Sequence, residues 1–156
     1  MKVQFWAIGK TTDTYLLPGF NDYKNRLKRY CQFEYIELPA AKIGKNASEK
    51  ETKIKEEKAV LEKLQKSDLL VLMDEKGQEY TSEKFASFLS SHQMRGTKNL
   101  VFLIGGAYGF STRIYERANT KIALSKMTFT HQMVRLIFTE QLYRAFTITK
   151  GEKYHH

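Results

Sequence analysis

At 156 residues, with 42% hydrophobic and 13% aromatic content, the chain fits one globular domain over 1–156 with enough apolar mass to bury a core. Its single cysteine, Cys31, excludes an intramolecular disulfide and gives an oxidising compartment no support, and no apolar stretch approaches membrane-spanning length. A net charge of +9, from 26 Lys+Arg against 17 Asp+Glu, points to an anionic partner, nucleic acid first; many lysines between Lys42 and Lys66 nonetheless alternate with glutamates, as on an ordinary solvated helix face.

Met1 to Ile8 enters a strand-like run at once, with neither a signal-peptide core nor a cleavage site, so the cytoplasm is the expected location. After the Val3–Ile8 strand, Phe20, Tyr23, Leu27 and Tyr30 recur at helical spacing behind Pro18-Gly19. Phe33 to Leu38 alternates apolar and acidic residues up to Pro39, which predicts a strand near a sheet edge. Ala40 to Ala47 is expected to be a mobile loop. Ser48 and Glu51 form a capping-box pattern ahead of a long charged helix whose apolar stripe is Ile54, Leu61 and Leu64.

Leu69 to Met73 is the continuous apolar run of a strand covered on both faces, ending at Asp74-Glu75-Lys76-Gly77. A helix from about Ser82 turns Phe85, Phe88 and Leu89 inward. It is followed by a Leu100–Ile104 strand, a Ser111-capped helix through Ala118 and a short strand over Ile122–Leu124. The last helix, from about His131 to Phe146, carries Val134, Ile137, Phe138, Leu142 and Ala145 on one face and Met133, Leu136 and Tyr143 off it. Such breadth requires cover on more than one side, within the domain or in a homodimer. Alternating strands and helices predict an α/β fold with a mostly parallel sheet flanked by helices.

Three strand ends are candidate site elements: Met73, the Gly105-Gly106-Ala107-Tyr108-Gly109 run, and the segment from Leu124. Glycines there leave bare backbone for a ligand, and any Cβ at Gly105 is expected to intrude on it. Taken alone, the run is equally a tight turn. It lacks the acidic partner about 20 residues on that a dinucleotide fold requires, and no Gly-Lys-Ser/Thr follows as in a phosphate-binding loop. His92, His131, His155 and His156 make no metal set, Cys31 carries no nucleophile signature and reads as a small core residue, and no Gly-x-Ser-x-Gly elbow exists. What remains is a pocket of backbone, apolar side chains and hydroxyls suited to a nucleoside-like cofactor.

Leu103 to Gly109, together with Leu124-Ser125-Lys126-Met127-Thr128-Phe129-Thr130-His131-Gln132-Met133-Val134-Arg135, resembles the signature of the RlmH-type ribosomal RNA large subunit methyltransferases of the SPOUT superfamily. The likeness continues through Glu140 to Phe146 and the tail Gly151 to His155, and includes Ala7 to Lys10 and Ile36 to Pro39, so it covers essentially the whole chain. Thr130 departs from the pattern, standing where the family usually carries proline.

The resemblance implies a C-terminal trefoil knot and a homodimer, and transfer of a methyl group from S-adenosylmethionine to N3 of a pseudouridine in 23S rRNA on assembled ribosomes. It assigns the cofactor to Met73, Gly105, Leu124, Ser125, Lys126, Met127, Thr128 and Phe129, and implies neither metal nor membrane. Because the imide N3 must lose a proton, His131, His155 or Tyr154 could accept it or position a water, while Arg135 could bind phosphate or offset charge. The plainer roles are a helix-start cap for His131 and a surface ion pair for Arg135. Two other readings are a SPOUT enzyme with another RNA target and a non-catalytic basic ribosome-binding protein.

Overall fold

The computed structural model describes residues 1–41 and 48–155. Lys42 and most of the loop expected over Ala40 to Ala47 lie outside them, as does His156. Strands β1 (Lys2–Ile8), β2 (Gln32–Leu38), β3 (Leu69–Glu79), β4 (Asn99–Ile104) and β5 (Thr120–Ala123) form one sheet in the order β2-β1-β4-β3-β5, every neighbouring pair parallel. Helices α1 (Leu17–Leu27), α2 (Glu49–Lys63), α3 (Ser82–Met94), α4 (Thr112–Arg117) and α5 (Met133–Thr149) complete the α/β architecture.

Strand periodicity divides the core in two. Val3, Phe5, Val71, Leu100 and Phe102 face α1, α3 and α5, meeting Phe20, Phe85, Leu89, Phe138 and Leu142. Trp6, Leu70, Leu72, Val101 and Leu103 face α2 and α4, meeting Val60 and Ile114. Phe138 packs its ring 4.8 Å from both Phe5 and Phe102, so α5 lies across the middle of the sheet. Phe138, Leu142, Tyr143, Ala145 and Phe146 are buried in the core with α1 and α3 packed beside the helix, while Met133, Val134, Leu136, Ile137 and Ile148 stay partly accessible.

Four elements differ from the sequence reading. Helix α1 ends at Leu27, and Tyr30 follows in a turn from which its ring still reaches Tyr143 and Phe146. On α2 the buried stripe is Thr52, Glu56 and Val60; Ile54 is 52% exposed, while Leu61 and Leu64 do pack inward. The capping box of Ser48 and Glu51 forms as expected. Helix α5 begins at Met133, because Thr130 provides the first turn: its hydroxyl accepts from Met133 N–H at 3.1 Å and its carbonyl from Val134 N–H at 3.0 Å. Cys31 is half-buried at the edge of the core, and burial pushes its thiol up to about 12.

The largest difference is in β3, which does not end at Asp74. Met73 and Gln78 both register with Ile122 of β5, so residues 74–77 bulge out of the ladder and the strand then resumes pairing. Gly77 makes the return possible: a Cβ there would sit 2.5 Å from Ile122 C, 2.6 Å from Ile122 N and 2.7 Å from Ala123 N. Those atoms are backbone and cannot swing aside. Gly77→Ala should therefore destabilise the fold by about 2 kcal/mol or more, within the range of overpacking costs, read as a lower midpoint in urea unfolding. An unchanged midpoint would show that the β3–β5 contact is loose.

Candidate functional site

The C-terminal ends of β1, β4, β3 and β5 open on one edge of the sheet, the usual position of ligand sites in parallel α/β folds. A cavity of about 680 Å³ lies there. Met73, Gly105, Leu124, Ser125, Met127, Thr128 and Phe129 line it, and so does His131. Lys126 belongs to the same loop but is not among the walls, and neither are Arg135, Tyr154 and His155.

The loop from Leu124 to Thr130 is shaped by its own hydroxyls. Ser125 Oγ accepts from Met127 N–H at 2.9 Å, and Thr130 caps α5 as described. Leu124 and Ser125 are half-buried against the sheet, whereas Lys126 to His131 face solvent, Met127 with 78% of its surface exposed. This segment is thus anchored at both ends and open along its middle.

The glycine turn is used differently from the expectation. Gly109 N–H closes on Gly106 C=O at 3.0 Å, and Gly109 adopts φ +72°, with nothing within 4 Å of a Cβ built on it. A Cβ on Gly105 would instead meet the Phe110 ring at 3.1 Å, and one on Gly106 would lie 2.5 Å from both carboxylate oxygens of Glu56. The protein's own side chains occupy the space that these two glycines leave, so their bareness serves packing first. Glu56, unremarked in the sequence, is buried on α2; burial raises its pKa, while the N–H of Ala41 opposes the shift.

The strand end at Asp74 to Gly77 is a candidate in the sequence, but neither its bulged form nor Tyr115 carries a signal there. The 74–77 bulge brings Asp74, Glu75 and Lys76 to the cavity, and α4 contributes Tyr115. Tyr115 donates to Asp74 at 2.5 Å, and its hydroxyl is pushed up to about 12, by burial first and the Asp74 carboxylate second. It is a donor fixed in place and unsuited to accept a proton near neutrality. The acidic pair on the bulge complements a cationic ligand group, with Lys53 and Lys76 supplying positive charge at other points of the wall.

Arg135 is 2% exposed, which corrects the surface ion pair expected of it: its guanidinium is engaged by groups inside the fold. Its guanidinium donates to Thr11 Oγ1 at 2.8 Å, Tyr35 Oη at 3.1 Å, Ile8 C=O at 3.0 Å and His131 C=O at 3.1 Å, with Glu37 at 3.9 Å. Arg135 thereby ties β1, β2 and the loop after β1 to the start of α5. Beside it, the Gln132 amide accepts from Thr12 N–H at 2.9 Å and donates to Lys10 C=O at 2.9 Å.

The tail docks on the helical layer. The Tyr154 hydroxyl donates to Glu140 at 3.0 Å and lies 3.0 Å from that of Tyr23, while the Arg144 guanidinium sits 4.8 Å from its ring. Burial and these partners raise the Tyr154 pKa. His155 meets Glu83 at 2.9 Å, and the Glu83 carboxyl is held down to about 2 by its own backbone N–H at the start of α3, then by Thr81 and His155. Within one chain the tail and the cavity are not brought together. Among the described residues no group of His, Cys, Asp or Glu is placed to hold a metal ion, and no helix is long and apolar enough to cross a membrane.

The family model described as "Predicted SPOUT methyltransferase" matches residues 1–155. A protein of Cytophaga hutchinsonii named "Ribosomal RNA large subunit methyltransferase H" is 56% identical, the match covering all of both chains. Proteins of the same name from Parabacteroides distasonis and Christiangramia forsetii are 51% and 49% identical, over all of this chain and 99% of each relative.

The Arg135 geometry predicts a stability defect in place of an RNA-binding one. Arg135→Ala would leave buried acceptors unpaired and open a void, costing about 3 kcal/mol or more, and Arg135→Lys should rescue little because an ammonium cannot span the same fork of partners. Urea unfolding of both variants checks this; a wild-type midpoint for Arg135→Ala would show that the guanidinium is not a clamp.

Proposed function

The chain belongs to the SPOUT methyltransferases, in the group of ribosomal RNA large subunit methyltransferase H, and on that premise we propose that it transfers a methyl group from S-adenosylmethionine to N3 of a pseudouridine in 23S rRNA. The reading includes action as one domain over 1–156, in the cytoplasm, on assembled ribosomes. It also includes a homodimer and a trefoil knot made by threading α5 through the preceding loop. The observation that carries it is the cavity, where the 124–129 loop, the glycine turn and Met73 converge on one sheet edge.

The residues present fit such a cofactor. Met73, Leu124 and Phe129 would hold apolar and aromatic parts, the open backbone of the glycine turn would offer hydrogen bonds, and Asp74 and Glu75 would face cationic groups. When bound, S-adenosylmethionine supplies an electrophilic methyl group on a sulfonium centre. The protein's main contribution is orientation, since in-line alignment at near-attack distance supplies much of the acceleration. Tyr115, fixed by Asp74, and the loop anchored through Thr130 and Arg135 keep the walls from shifting as the acceptor enters.

The acceptor N3–H must lose its proton as the new N–C bond forms. His131 presents the imidazole in the cavity wall, so it takes this proton directly or through a water. Tyr154 and His155 do not line the cavity of their own chain, so a role at the acceptor requires a second copy to deliver the tail. The exposed Met127 and Phe129 at the cavity support the dimer.

Gly105→Val should push the Phe110 ring toward the cavity and weaken S-adenosylmethionine binding about tenfold or more, which is ~1.4 kcal/mol, by calorimetry. Wild-type affinity in a folded variant would refute this placement of the cofactor. For the reaction, purified ribosomal subunits should accept tritium from labelled S-adenosylmethionine at one pseudouridine of 23S rRNA. Deleting Lys153 to His156 should abolish most of that transfer while leaving the dimer mass by light scattering and the cofactor affinity in place. Undiminished turnover of the truncated protein would remove the tail from the mechanism, and a wild-type protein that bound ribosomes without transferring label would be a non-catalytic binder.

A further inference from the structure

The loop from Gly9 to Leu16 is a surface connection with an unusual number of restraints. It leaves β1 beside the glycine turn, because Ala7 registers with Ile104 and the two strands end together. Gly9 N–H is held by Leu38 C=O at 2.8 Å, and Thr11 N–H by the Glu37 carboxylate at 2.7 Å. The Thr11 hydroxyl accepts from Arg135 and lies 2.8 Å from Tyr35 Oη. Thr12 N–H and Lys10 C=O are both taken by Gln132, the residue after cavity-lining His131. Leu16 is buried and pins the far end.

Side chains from β2 and α5 thus converge to fix a loop that contributes only Leu16 to the core. What the loop displays is Lys10, exposed, and Tyr15, 70% exposed. Among the described residues, no hydrogen bond, ion pair or ring contact engages the Tyr15 side chain. An aromatic ring held out on a preorganised backbone has already met the ordering cost of contact. The same loop carries exposed Lys10 and leaves β1 where β4 runs into the glycine turn, and an exposed ring with a cation on one loop matches the way proteins grip single-stranded nucleic acid, by stacking bases on aromatic rings and tracking phosphates with cations.

We propose that the Gly9–Leu16 loop is an RNA-contacting arm in which Tyr15 stacks on an unpaired base next to the target nucleotide and Lys10 meets a neighbouring phosphate. The inference rests on the reading of the protein as an rRNA methyltransferase and adds to it a second point of contact, outside the cofactor cavity. Tyr15 acts in substrate binding and has no part in the chemical step. The Arg135 and Gln132 contacts position the arm.

The test compares wild type, Tyr15→Ala and Tyr15→Phe in methyl transfer to purified ribosomal subunits, with calorimetry for S-adenosylmethionine alongside. Removing the ring should raise KM for the subunits about tenfold or more, the scale of one lost base stack. The affinity for S-adenosylmethionine should stay at its wild-type value, and Tyr15→Phe, which keeps the ring, should stay close to wild type. Ultraviolet crosslinking on the subunits should join the peptide containing Tyr15 to rRNA. An unchanged KM in Tyr15→Ala overturns the proposal, and so does a raised KM with a parallel loss of cofactor affinity, or a crosslink that goes to a ribosomal protein. A wild-type protein that transfers no methyl group defeats the underlying reading, and the arm with it, and the wild-type control makes that failure distinct from failure of the arm alone.

Discussion

The buried guanidinium of Arg135 is the constraint on which the functional edge of this molecule depends. A charge removed from water must be fully paired, and here the acceptors come from separate parts of the chain: Ile8 at the end of β1, Tyr35 on β2, Thr11 in the loop between, and His131 one turn earlier. The partners cannot be satisfied together unless α5 begins where it does. Since β5 fixes the other end of the 124–131 segment through its pairing with β3, the segment spans two rigid points, and an exposed loop acquires a defined path. His131 reaches the cavity wall because its carbonyl is engaged behind it.

A second constraint operates on the opposite side of the cavity, where β3 leaves and rejoins its ladder. The bulge of residues 74–77 carries acidic side chains to the cavity, and Asp74 returns across it to Tyr115. Both sides of the site therefore follow one pattern: exposed backbone along the cavity is held in place by side-chain polar contacts. The glycine turn between them conforms, with Phe110 and Glu56 filling the places that Gly105 and Gly106 vacate.

Much of this was legible in the sequence, for physical reasons. Apolar runs such as Leu69 to Met73 and Leu100 to Ile104 are too short for a buried helix and are bounded by turn residues, which favours a doubly covered parallel strand, and capping residues marked α2 and α4. The extension of β3 was hidden because Asp-Glu-Lys-Gly has the composition of a turn, and only the backbone approach at Gly77 shows that the strand resumes. Ile54 fell on the wrong side of α2 because the buried stripe contains Thr52 and Glu56, polar residues that periodicity assigns to solvent. The burial of Arg135 is hidden on the same ground: a charged residue is read as exposed until its partners, about a hundred positions away in sequence, are in view. The loop from Leu124 to Phe129 was legible through its family resemblance and carried no periodic signal of its own.

The order of strands across the sheet also bears on how the chain is made. Synthesis delivers β1, α1 and β2 first, and they can pair at once, but β3 emerges without a neighbour, because β4 must insert between it and β1. Until residue 99 and beyond have been released, the apolar run of β3 stays an open edge, the condition under which nascent chains associate wrongly. The aromatic face made by Phe5, Phe85 and Phe102 waits longer still, since its cover is Phe138 on the last helix. The nascent chain therefore carries an uncovered hydrophobic layer until α5 has been released, and whatever shields that layer in the interval acts on a surface that the folded protein no longer shows.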